Sequence, residues 1–129
     1  MYSQVGKRVP AHSTSLGKAI MAHLSEEKVR EILEEKGMEK NTENTITSID
    51  KFLAHLKKVK KQGYAVDDEE QEEDIRCIAG PIFNHRGEVV AAFSISAPIT
   101  RMTESRMKEL AKLVVEYSQK MSRSLGYSS

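Results

Sequence analysis

Two apolar, partly β-branched runs, Ile75 to Phe83 and Glu88 to Ser96, are separated only by Asn84-His85-Arg86-Gly87. Runs of this length joined by so short a polar, glycine-ending segment leave an antiparallel hairpin as the simplest solution. The rest of the chain is organised around that hairpin. A helix is expected from Ser13, with Ser13, Thr14 or Ser15 as N-cap and the stripe Leu16, Ala19, Ile20, His23 and Leu24. Ser25 can cap a second helix with Glu26 and Glu27 in its first turn, Val29, Ile32 and Leu33 buried, and Gly37 as its stop. A third helix begins near Thr47 or Ser48, buries Ile49, Phe52, Leu53, Leu56 and Val59, and ends at Gly63. Tyr64 to Asp67 reads as a short strand. Thr103 caps a final helix with the stripe Met107, Leu110, Val114, Tyr117, Met121 and Leu125, which packs on the sheet. Residues Met1 to Val9 suit a strand end and a turn, halted by Pro10. Helices before and after a hairpin give an α+β domain in which helices cover one face of an antiparallel β-sheet around one core.

Composition narrows the function. The 129 residues carry twenty Lys and Arg against nineteen Asp and Glu, a formal charge of +1, so no general pull toward nucleic acid or anionic membrane is expected. Lys57, Lys58, Lys60 and Lys61 crowd a helix C-terminus, where cations complement the dipole. Seven acids fill the eight positions from Asp67 to Asp74, broken only by Gln71, and read as a mostly solvated loop. With a single cysteine, Cys77, no intrachain disulfide is possible. No apolar run is long enough for a membrane span, and the N-terminus lacks the apolar stretch of a secretory signal, so a cytoplasmic protein is expected.

Cys77, His12, His85 and the acids are metal-ligand types, but no CxxC or HxxxH spacing occurs, and neither a metal nor another cofactor is expected. Gly17-Lys18-Ala19 resembles the end of a phosphate loop, yet His12 replaces its first glycine and Ala19 its hydroxyl, so that reading fails. A nucleophile at Cys77 or Ser15 would make a small thiol or serine enzyme. Ser15 lacks the glycine two residues before it that a nucleophile elbow requires, and Cys77 lies within a strand, where cysteine is more often a small hydrophobe. Catalytic residues are therefore not assigned.

Two features suit ligand binding. Ser94 and Ser96 interrupt an otherwise apolar strand face shared with Val90 and Ala92. They either bond to nearby backbone or form a pocket floor on which fixed hydroxyls orient a ligand. The segment Ser13 to Lys18 opens a helix, either as an ordinary N-cap or as unpaired N–H groups that suit a carboxylate.

The run Val9-Pro10-Ala11-His12-Ser13-Thr14-Ser15-Leu16-Gly17-Lys18-Ala19 resembles the segment opening the first helix in the compact part of the effector domain of IclR-type transcription regulators. A second block, Gly63 to Glu70, then Ile75 to Phe83, Gly87, Val89 to Ser96, Pro98 and Arg101, follows the same family's pattern in order. The resemblance spans nearly the whole chain. It implies a GAF-like domain that binds a small organic-acid effector and self-associates as a dimer or tetramer. It also implies a pocket involving Val9, Ser15, Leu16, Asp67, Ile75, Cys77, Ser94 and Ser96, with regulation rather than catalysis as the activity. By that resemblance, the family's winged helix-turn-helix, linker helix and first strands are expected to lie outside residues 1–129. Residues 1–129 are accordingly expected to be an effector-binding piece of a longer regulator; the piece alone is expected to bind no DNA, whereas the full-length regulator does. Asp74 stands where the family usually has glycine. A small thiol or serine enzyme and a purely structural dimerisation module are the competing readings.

Overall fold

A computed structural model describes residues 12–128. The order is α1 (Ser15–Met21), α2 (Glu26–Lys36), α3 (Ile49–Gln62), β1 (Ala65–Asp68), β2 (Ile75–Phe83), β3 (Val89–Pro98) and α4 (Glu104–Ser124). The helix starts follow local chemistry. The hydroxyls of Thr14, Ser25, Ser48 and Thr103 accept from the backbone N–H groups of Gly17, Lys28, Lys51 and Arg106, satisfying donors that a helix start leaves unpaired. Gly37 and Gly63 end α2 and α3 with φ of 79° and 89°, a region open to glycine at little cost.

The described strands form an antiparallel sheet in the order β1-β2-β3. Asn84 builds the hairpin turn: its Oδ1 accepts from the N–H groups of Arg86 and Glu88 at 2.9 and 3.0 Å, and its own N–H reaches Glu88 O at 2.9 Å. The pairing skips one residue between Ile82/Ala91 and Phe83/Val89, leaving Val90 as a bulge.

Helices cover both faces of the sheet rather than the one expected, and the buried apolar residues fall into two clusters rather than one. On one side, Ala65, Ala79 and Ala92 meet Ala19, Met21 and Ala22, backed by Val29 and Leu33 of α2 and Phe52, Leu56 and Val59 of α3. On the other, Ile78 packs with Met102, Leu110, Ala111 and Val114, flanked by Val66 and Phe93. The periodicity of the helices announced apolar faces but could not say on which side of the sheet each would land.

Two helix faces depart from expectation for identifiable reasons. In α1 the buried positions are Ser15, Lys18, Ala19 and Met21, so the helix is rotated toward small and polar residues, and His23 and Leu24 lie past its end. In α4 the buried line runs Leu110, Ala111, Val114, Ser118 and Ser122, while Tyr117 and Leu125 are about half exposed. The serines anchor the C-terminal half of α4 to the end of β2: Ser118 Oγ donates to Pro81 O, and Ser122 Oγ accepts from Phe83 N at 2.9 Å. These bonds satisfy buried polar groups that a bulkier apolar residue could not.

The acidic segment is mostly solvated, as expected, but two of its acids turn inward. Asp67 and Glu70 are buried, whereas Asp68, Glu72, Glu73 and Asp74 face solvent. Asp74 has φ +67°, a left-handed conformation that aspartate tolerates better than most non-glycine residues. The departure from the family glycine therefore leaves the turn intact, and Asp74 O accepts from Ile99 N at 2.9 Å.

A Cβ added at Gly80 would stand 2.8 Å from Val114 Cγ1 and 3.2 Å from Phe93 Cε1. Gly80→Ala should therefore push α4 off the sheet and destabilise the fold by about 1–3 kcal/mol, read from urea unfolding at unchanged m-value. Wild-type stability in this variant would show that the contact has slack.

Candidate functional site

Register decides which side chains share a face. Ala65, Ala79 and Ser94 stand in one cross-strand row, and Asp67, Cys77 and Ser96 in the next, with Ile75 opposite Pro98 beyond them. Directly paired residues point to the same side of an antiparallel sheet, so Asp67, Ile75, Cys77, Ser94 and Ser96 all lie on the face covered by α1. Ser15 opens α1 and is 2% exposed, and Leu16 is half-buried against the core of that layer. Seven of the eight candidate residues are thus gathered on one side of the sheet. Val9 lies outside the described residues.

Their environments differ. Ser94 and Ser96 are exposed on β3, the outer strand of the described sheet. The Cys77 thiol donates to Ser96 Oγ at 3.1 Å. Burial pushes the Cys77 thiol up, with the carboxylates of Asp67 and Glu72 adding to the effect and Ser96 opposing it; a protonated thiol is a poor nucleophile. Asp67 Oδ1 accepts from Glu70 N at 2.8 Å and Gln71 N at 3.3 Å, and so caps the turn that starts the acidic loop. Burial raises its carboxyl above the usual range, and these backbone donors pull it back.

The group that holds this region together is Lys18, fully buried on α1. Its Nζ donates to Glu70 Oε1 at 2.5 Å and to Val66 O at 2.9 Å. Burial raises the Glu70 carboxyl and the ammonium of Lys18 opposes that rise. Around the pair, Ser13 Oγ donates to Gln71 Oε1, Asn41 Nδ2 to Ser13 Oγ at 3.2 Å, and Thr42 Oγ1 to Glu69 O. Thr45 Oγ1 donates to Glu70 O at 2.5 Å, and His12 Nε2 to Glu39 O at 2.7 Å. The start of α1, the 38–46 loop and the acidic loop are therefore one polar network beside Asp67. Sequence reasoning met Lys18 only as a failed phosphate loop. The available signal was its three-residue spacing from Ser15 within a line of small residues.

Among the described residues no group of three or more His, Cys, Asp or Glu is arranged to hold a metal, and no helix is long and apolar enough to cross a membrane. Two grooves of about 810 and 210 Å³ lie elsewhere, and none of the candidate residues lines either.

The antiparallel sheet lies between helical layers and collects polar side chains on one face, and comparison with known proteins supplies the family. Residues 1–123 match the model described as "Bacterial transcriptional regulator IclR C-terminal". The chain is 42% identical over 127 residues to the HTH-type transcriptional regulator KdgR of Escherichia coli, covering 98% of this chain and 48% of that protein. It thus spans about half the length of the curated relatives it matches. The crystal structure of the KdgR C-terminal domain superposes with a TM-score of 0.86 at 42% identity, over 95% of this chain and 74% of that one. Thermotoga maritima IclR superposes at 0.88 with 39% identity, over 98% and 51%. An inducer-binding domain of PobR from Acinetobacter, a double mutant in complex with 3-hydroxybenzoic acid, gives 0.82 and 30%, over 91% and 67%. The chain belongs to the IclR family and is its C-terminal, effector-binding domain. The relatives are transcription regulators and not enzymes.

The buried pair gives one test. Lys18→Met leaves Glu70 without its cation and should cost about 3–5 kcal/mol, much of which Lys18→Met/Glu70→Leu should restore. Chemical denaturation of the three proteins checks this, and a single variant as stable as wild type would refute it. A second test concerns His55 on α3, whose buried Nε2 has no hydrogen-bond partner among the described residues. Burial, then the charges of Lys18 and Lys58, lower its pKa to about 4. The unfolded chain takes up that proton first, so His55 removes stability as pH falls from about 6.5 toward 4. The raised carboxyls of Asp67 and Glu70 act in the opposite sense. His55→Leu should therefore lose less thermal stability than wild type between pH 7 and pH 4.5; equal losses would exclude the effect.

Proposed function

We propose that this domain binds a small carboxylic-acid metabolite on the α1 face of the sheet and passes its presence to a DNA-binding part of the regulator. The observation that carries the reading is the row Asp67, Cys77 and Ser96 beside the row ending in Ser94, small polar side chains collected on the sheet face against which α1 packs. Ser94 and Ser96 orient the ligand's polar groups. Leu16 and Ile75, with Val9, supply apolar walls, and Cys77 is a weakly polar part of the floor. The carboxylate lies by the backbone at Ser15 and Leu16. Thr14 Oγ1 already takes the Gly17 N–H at 3.1 Å, so one helix-start donor is committed to the cap. Asp67 uses Oδ1 to hold the loop and offers its other oxygen to a ligand hydroxyl. The PobR domain's complex with 3-hydroxybenzoic acid supports an organic acid as the ligand class.

A thermal-shift screen of keto, sugar and aromatic acids tests the class, since a ligand at 100 times its dissociation constant adds about 2.7 kcal/mol of stability. With a ligand in hand, Ser94→Ala and Ser96→Ala should each weaken binding by about 0.5–1.5 kcal/mol. The melting temperature of the free protein should stay unchanged, because both side chains are exposed. Unaltered affinity in both would move the pocket elsewhere.

Self-association is the second part of the reading. Val90 and Ile95 are 54% and 38% exposed along β3, and exposed apolar strand residues favour a partner. Sedimentation should show a dimer or tetramer; a monomer at high concentration would count against it. With a net charge of +1, the chain alone has no general electrostatic pull toward DNA and should not bind it specifically.

A further inference from the structure

The larger groove, about 810 Å³, lies at the hairpin end of the sheet, away from the candidate effector face. Its walls include His23 after α1, Lys60 in the last turn of α3, Phe83 at the end of β2, Gln119 and Arg123 on α4, and Tyr127 beyond α4. Gly126, at φ +91°, turns the chain back so that Tyr127 N reaches Ser122 O at 3.1 Å. The rings form a continuous aromatic wall: His23 meets Phe83 edge-on at 4.7 Å, and Phe83 meets Tyr127 at 5.0 Å with 31° between planes.

Among the described residues that line this groove, the charges are of one sign. No Asp or Glu lines it, and among the described residues neither Lys60 nor Arg123 forms an ion pair, although six other pairs occur. The C-termini of α3 and α4 account for each cation separately, and the groove brings both into one lining with Phe83 and Tyr127. Burial lowers the His23 pKa, and the charge of Lys60 adds to that fall. An incoming anion would relieve that local excess of positive charge.

We propose that this groove is a second ligand site, built for a mononucleotide: a flat heterocycle carrying a phosphate. The heterocycle packs against the outer side of the Phe83–Tyr127 ring pair, the phosphate is held by Lys60 and Arg123 of the same lining, and the Gln119 amide offers a donor and an acceptor to the edge of the ring. Base-on-aromatic stacking tolerates any base, and two cations suit the charge of a phosphate monoester. The volume falls within the range that encloses ligands of this size.

Titration of the ¹⁵N-labelled chain with AMP, GMP, CMP and UMP, in parallel with inorganic phosphate, tests the site. Saturable shifts are expected at the amides of His23, Gly63, Gly87 and Tyr127 with at least one nucleotide, and weaker binding with phosphate alone. Lys60→Ala and Arg123→Ala should each weaken nucleotide binding roughly fivefold, as for an exposed charge contact. Tyr127→Ala should weaken it roughly tenfold through lost stacking, while Ser94→Ala leaves it unchanged. Three outcomes would overturn the proposal: no shift with any of the four at millimolar concentration, phosphate matching the nucleotides, or shifts confined to the face that carries Ser94 and Ser96. Loss of the organic-acid reading would leave this result untouched, since the two sites share no residue.

Discussion

The ion pair between Lys18 and Glu70 is the interaction on which the arrangement of the α1 face depends. A fully buried ammonium is tolerated only when its donors are occupied, and here a carboxylate and the Val66 carbonyl occupy two of them. That requirement brings the acidic loop down onto α1, which in turn places Asp67 beneath the helix start. The hydroxyls of Thr42 and Thr45 then close over the loop's own carbonyls. A segment that carries seven acids in eight positions is thereby folded back against the protein instead of extending into water.

The elements were legible in the sequence because each rests on local chemistry. The caps at Ser25 and Thr103, the stops at Gly37 and Gly63, and the hairpin around Asn84 depend on residues within a few positions of one another. What could not be read was long-range. The inward turn of Lys18 needs a carboxylate 52 positions away. The serine line of α4 needs acceptors and donors at Pro81 and Phe83, so the apolar periodicity that held at Leu110 and Val114 drifted off the buried face at Tyr117 and Leu125. The same limit hid the second layer, since periodicity identifies a face to be buried but not the surface that buries it.

The candidate site was legible in a different way. Alternation along β3 put Ser94 and Ser96 on one face, and pairing with Cys77 and Asp67 extended that face across the sheet. Residue chemistry and the family resemblance thus converge on the same rows. The role of Asp67 is the exception: its strand position was evident, but its engagement with the N–H groups of Glu70 and Gln71 arises only when the loop closes.

Strand β2 runs between both helical layers, and its consecutive residues Ile78, Ala79 and Gly80 alternate between them. At its middle the strand carries almost no side-chain bulk: Ala79 meets the α1 layer and Gly80 admits Val114. Little more than the thickness of a peptide backbone separates the two sides there. Interiors packed at close to crystalline density transmit small displacements instead of absorbing them. The partition between the layers is therefore a thin, stiff diaphragm, and a load applied through α1 on one side is borne directly by α4 on the other.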